Sequence, residues 1–108
     1  YQLEHLILKL EEGNEMKHFF SIGNQRIMVI DHPNIKSDLG FKPDILILMN
    51  SPKINLDRLL LEVQPKIIVA DGSNFFTYKS LWRRTAEKAE IIFYDTAKEG
   101  AFTLRNSS

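Results

Sequence analysis

Two short polar segments hold the residues best suited to chemistry: Asn50-Ser51-Pro52-Lys53 and Asp71-Gly72-Ser73-Asn74. Each follows an apolar run and each carries a hydroxyl, an amide and a residue able to bind charge. In open α/β sheets, ligands bind beyond the carboxyl ends of the parallel strands. Two such turns lying side by side could hold a phosphate, with backbone N–H groups at two helix N-termini facing it. The plainer account is that Asn55, Ser73 and Asn74 cap helices and Gly72 supplies a turn angle. Caps of this kind occur on most helices, which favours the plainer account.

Other constellations carry less. The histidines are His5, His18 and His32. Asp31-His32 is a possible ligand pair, but a metal site normally wants three or four convergent donors, so no metal ligand set and no cofactor is expected. No histidine follows Ser51 or Ser73, and neither sits in a Gly-x-Ser-x-Gly elbow, which argues against a Ser-His-Asp triad. Lys79, Arg83, Arg84 and Lys88 form the one basic cluster, interleaved with Phe75, Phe76, Tyr78 and Trp82. Aromatics among cations can stack on bases. Against this, Tyr78 and Trp82 fall at core spacing, and Glu87 and Glu90 dilute the charge. A solvated helix face is the simpler reading.

The elements that must position these residues follow from periodicity. Asp44 to Met49 is apolar after one acid, and Lys66 to Ala70 is a second such run, each preceded by proline. Strands without alternation are buried on both faces. Between them Leu56, Leu59, Leu60 and Val63 fall at i, i+3, i+4 and i+7, one face of a short helix with Asn55 as N-cap. Strand, helix and strand of this length form a crossover, so the two strands are read as parallel neighbours. A second helix is predicted from Phe76 to Ala89, with Tyr78, Leu81, Trp82, Thr85 and Ala89 inward and Arg83–Glu87 as an i, i+4 pair outward. Ile91 to Tyr94 is a third parallel-type strand, Asp95 to Gly100 a turn, and Ala101 to Leu104 a last short strand. Upstream, Leu3 to Leu10, Lys17 to Ile22 and Gln25 to Asp31 read as an antiparallel meander, with Gly23-Asn24 as a two-residue hairpin turn.

The fold class is therefore α/β: a mixed sheet of about six or seven strands, a meander followed by crossover units. Right-handed crossovers put both helices on one face. The opposite face is then predicted to be partly bare, to be covered by a second copy of the chain or by the rest of a larger parent. The 108 residues are read as one domain, 1–108, and the start at Tyr1 as a fragment. Lysine plus arginine and aspartate plus glutamate both number 14, so no global charge draws the chain to nucleic acid. With no cysteine, a disulfide framework and a thiolate zinc site are excluded. No apolar run approaches the ~18 residues of a membrane span.

Several local words, taken together, resemble a known family. Pro43-Asp44-Ile45-Leu46-Ile47-Leu48, the Ser-Pro-Lys turn at 51–53, Asn55-Leu56-Asp57-Arg58-Leu59 and Pro65 to Asn74 resemble the C-terminal soluble region of the ComEC family. The likeness extends back to Phe20–Asp31 and forward through Tyr78, Trp82 and Arg83 to Glu99–Leu104, and is nearest to the branch in Bacteroidetes-type bacteria. These membrane channel proteins pass single-stranded DNA inward during natural competence. In many of them this region is similar to a metallo-β-lactamase-type hydrolase. There the strand equivalent to Asp44–Leu48 ends in a His-His-Gly-Ser turn carrying a metal ligand; here it reads Met49-Asn50-Ser51-Pro52. A second ligand histidine belongs in the turn that reads Asp71-Gly72-Ser73-Asn74, and the His-x-His-x-Asp-His motif is absent. The resemblance thus implies a metallo-hydrolase half with its metal site erased.

The expected function is a non-catalytic accessory domain of a DNA-uptake membrane protein, for DNA guidance or assembly. Its expected partners are the rest of that protein, weakly bound single-stranded DNA, and a second copy through the uncovered sheet face. The parent is placed in the cytoplasmic membrane and this domain outside the cytoplasm. The rival is a hydrolase of phosphodiesters using Asp71, Ser73, Asn50 and Lys53 at the rim.

Overall fold

The computed structural model describes residues 18–32, 42–100 and 102. In chain order it contains β1 (Phe19–Ile22), β2 (Gln25–Ile30), β3 (Ile45–Leu48), α1 (Leu56–Glu62), β4 (Ile67–Ala70), α2 (Phe76–Lys88), β5 (Ile92–Asp95) and α3 (Thr96–Glu99). The five strands lie side by side in sequence order. β1 and β2 are antiparallel across the Gly23-Asn24 turn, where Gly23 takes φ +57°, and every later pairing is parallel. The sheet has five strands among the described residues, where the sequence predicts six or seven. The expected strand Leu3–Leu10 lies outside those residues, as does Ala101–Leu104 apart from Phe102, which is not in a strand.

Register in the parallel part is fixed at the amino ends by Asp44, the acid before the apolar run. Its carboxylate accepts from Arg26 N (2.9 Å), its N–H donates to Arg26 O (2.7 Å), and its carbonyl accepts from Lys66 N (2.8 Å). Ile45 then falls opposite Ile27 and Ile67. A one-residue slip would exchange the two faces of each strand, so this clamp also decides which side chains meet the helices.

Both helices cover one face, as the crossover rule predicts. Leu56, Leu60 and Val63 from α1 and its end, and Trp82 and Ala86 from α2, pack on Met28, Ile30, Leu46, Leu48, Ile68, Ala70 and Phe93. Asn55 caps α1, its side chain accepting from Arg58 N at 3.1 Å. The second face differs from expectation: Ile27, Val29, Ile47 and Val69 are all 0% exposed in one copy of the chain. The middle of that face is therefore not bare. The doubly apolar strands find cover within one chain.

Helix α2 buries Trp82 and Thr85 and packs Tyr78 on the core as predicted, but its edges differ. Leu81 is 49% exposed and Ala89 is exposed, while Ala86 is buried. The stripe that meets the sheet is Lys79, Trp82, Arg83 and Ala86, at i, i+3, i+4 and i+7. Two of its members are cations with partners on β5 and α3, so hydrophobic periodicity alone points elsewhere. The predicted turn after β5 is the short helix α3. Asp95 caps it, accepting from Ala97 N at 3.0 Å, and Glu99 reaches back to accept from Asp95 N at 2.6 Å.

Candidate functional site: the carboxyl-end rim of the sheet

Four parallel strands end at one rim, and the start of antiparallel β1 returns to it. Crossing the rim in order, one meets His18, Asp31 and His32 beside β2, then Asn50 and Ser51 after β3. Asp71, Ser73 and Asn74 follow β4, and Asp95 ends β5.

The structure does bring the β3 and β4 turns together, and it shows what their polar groups do. Asn50 N donates to Ser73 Oγ at 2.8 Å, and Ser51 N to Asn74 Oδ1 at 2.9 Å. Asn74 Nδ2 donates to Leu48 O at 2.7 Å, and Phe75 N to Ser51 Oγ at 2.6 Å. Asn74 thus bridges both turns and is only 6% exposed. Ser51, from the facing loop, caps α2, where Phe75 at the N-cap has no side chain able to do so. Asp71 Oδ1 accepts from Ser73 N at 3.1 Å and from the Ser73 hydroxyl, which closes its own loop. Asn50 (φ +60°) and Ser51 (φ +48°) both sit in the left-handed region. Two non-glycine residues in that region cost of order 1–3 kcal/mol each, so the lacing must hold them there.

The N–H groups of Asn50, Ser51 and Phe75, which a phosphate would need, are already paired inside the chain. Nor do the residues fit a metal. Asn74 uses its amide oxygen and nitrogen on the backbone, and neutral amide and hydroxyl oxygens are weak ligands beside imidazole. Lys53 is exposed in the same loop. Ser73 and Asn74 are not the caps of α2, as the plainer sequence reading has them; they are the ties between the loops.

The predicted basic face is divided. Lys79 Nζ lies 3.1 Å from Asp95 Oδ2 and 3.2 Å from Oδ1, and the two side chains are 13% and 10% exposed. Lys79 is therefore not on a solvated face. Arg83 lies over the Phe93 ring at 5.0 Å and 3.9 Å from Glu99, so its partner is Glu99, not the predicted Glu87. Arg84 and Lys88 are exposed. Tyr78 stacks on Trp82 with centroids 5.7 Å apart, a packing use of both rings, whereas Phe75 and Phe76 are exposed.

At the β2 end the arrangement is of another kind. His18 Nε2 donates to Asp31 Oδ1 at 3.0 Å, and His32 Nε2 lies 3.8 Å from the same oxygen. The two imidazoles meet edge to face, with centroids 5.5 Å apart and an interplanar angle of 82°. One ligand atom from each of the three residues lies within 4.8 Å of the others. Counting histidines along the sequence misses this group. The hairpin turn contains the signal: with Ile22 opposite Gln25, His18 falls opposite Val29 and diagonal to Asp31. His5 lies outside the described residues.

Fold and rim together define an α/β domain with a doubly covered sheet and a polar carboxyl edge. The family model of the ComEC C-terminal domain matches residues 1–106, and the chain belongs to that family, which links it to competence-related DNA uptake by a membrane protein. No curated protein and no solved structure matches the chain. No helix among the described residues is long and apolar enough to cross a membrane.

Proposed function

We propose that this domain is a non-catalytic accessory part of a competence-related DNA-uptake membrane protein, placed outside the cytoplasm, and that it serves assembly more than the gripping of DNA. The observation that supports this is the lacing of the β3 and β4 turns. Where hydrolases of the resembling type carry ion-binding histidines, this chain carries Asn50, Ser51, Ser73 and Asn74 and uses them to tie one loop to the other. A reactive rim needs donors left over for substrate, and these donors are engaged. DNA guidance through α2 is weak because Lys79 and Arg83 are matched by Asp95 and Glu99.

The test is a nuclease assay on single- and double-stranded DNA with added manganese or zinc, beside Asp71→Ala. No cleavage is expected. Cleavage that disappears in Asp71→Ala would overturn the reading. Single-stranded DNA binding is expected to be weak at low salt, to fall steeply as salt rises, and to vanish in the Arg83→Glu/Arg84→Glu double variant. A second reading, a metal-dependent phosphodiester hydrolase, is favoured by the His18, Asp31 and His32 group at the same rim. It predicts cleavage that survives Asp71→Ala and fails in His18→Gln.

A further inference from the structure

We propose that His18, Asp31 and His32 form a binding site for one borderline divalent transition-metal ion, zinc being the representative species. The argument is geometric. With metal–ligand bonds of about 2.0–2.1 Å at tetrahedral angles, neighbouring ligand atoms stand roughly 3.3 Å apart. The separations from Asp31 Oδ1 to the two imidazole nitrogens are 3.0 and 3.8 Å, on either side of that value. No ligand atom of the three is more than 4.8 Å from another. The His18–Asp31 hydrogen bond shows two donor atoms already aimed at one point. A metal ion takes the place of the shared proton, and His18 then coordinates through Nε2 as the neutral tautomer that carries its proton on Nδ1.

The frame around the three residues is stiff where it needs to be. The hairpin ladder continues to His18 through Val29 N donating to His18 O at 2.8 Å. β2 is paired on both sides, and Met49 N donates to Ile30 O at 3.0 Å, so Asp31 leaves the sheet from a fixed position. The edge-to-face rings can direct their nitrogens at a common point without stacking. Entry is open: the side chains of His18, Asp31 and His32 are 25%, 21% and 49% exposed. Two imidazoles and one carboxylate select zinc, copper or nickel over magnesium and calcium, which favour all-oxygen shells. Three protein ligands leave a fourth position for water or an anionic oxygen.

This site does not depend on the accessory reading. It lies at the end of β2, apart from the laced turns, and needs no catalysis. The experiment is titration of zinc into the intact chain by calorimetry. One saturable ion per chain is expected. His18→Gln and His32→Gln are each expected to weaken binding about tenfold or more, and Asp57→Asn on the exposed side of α1 to leave it unchanged. Should a variant fold poorly, the wild-type chain still decides: long-range ¹H–¹⁵N spectra of the imidazoles are expected to show the His18 and His32 signals shifting as zinc saturates. Absence of saturable binding, or a His18 or His32 signal that stays in place at saturating zinc, would overturn the site. Zinc binding without DNA cleavage leaves the accessory reading standing, and failure of zinc to bind leaves that reading untouched.

Discussion

The β3–β4–β5 part of the rim and the β2 end occupy equivalent positions in one sheet, yet they use polar side chains in opposite ways. In the first, Ser51, Ser73, Asn74 and Asp95 each bond to a backbone group of this chain. In the second, His18, Asp31 and His32 converge on one another and remain partly open to solvent. Polar residues at a ligand-binding edge are thus not evidence of a ligand until their hydrogen bonds have been traced. Engaged donors stabilise a fold, while convergent, accessible donors of matching softness can hold something else.

If the first region is structural, its variants should cost stability in a definite order. Asp95→Ala comes first, because it strands the nearly buried Lys79 ammonium and removes the cap of α3. A loss of about 3 kcal/mol in urea unfolding is expected. Asn74→Ala follows, leaving Leu48 O and Ser51 N without their partner. About 2 kcal/mol is expected, and a change under 0.5 kcal/mol would break the contrast. Ser51→Ala removes the cap of α2 while the left-handed φ remains, for about 1 kcal/mol. Ser51→Gly should cost less than Ser51→Ala, since glycine accepts that φ without strain, and a comparison of melting temperatures checks the order. The smallest effect belongs to the other region. His18→Gln without metal should shift stability by no more than about 1 kcal/mol, which would mark His18 as dispensable to the fold.

Much of the scaffold was legible because its signals are local. Proline-bounded apolar runs marked β3 and β4, Asn55 marked the start of α1, and Gly23-Asn24 marked the β1–β2 turn. The helix stripe Leu56, Leu59, Leu60 and Val63 faces the core as read. The rim was less legible because its bonds join residues far apart in sequence, such as Asn50 with Ser73 and Leu48 with Asn74. The inward placing of Lys79 and Arg83 escaped periodicity because Asp95, Phe93 and Glu99 draw them in, which no helical wheel contains. The doubly apolar runs point to cover on the second sheet face as well, and the burial of Ile27, Val29, Ile47 and Val69 agrees with them.

The sequential strand order has a bearing on how the sheet comes into being. Each described strand pairs with the one synthesised just before it, and none leaves a gap to be filled by a later one. As the polypeptide leaves the ribosome, β2 can dock on β1, and each strand–helix unit can then add to a finished edge. Growth of this kind keeps loop closures short and limits the time any apolar strand waits without a neighbour.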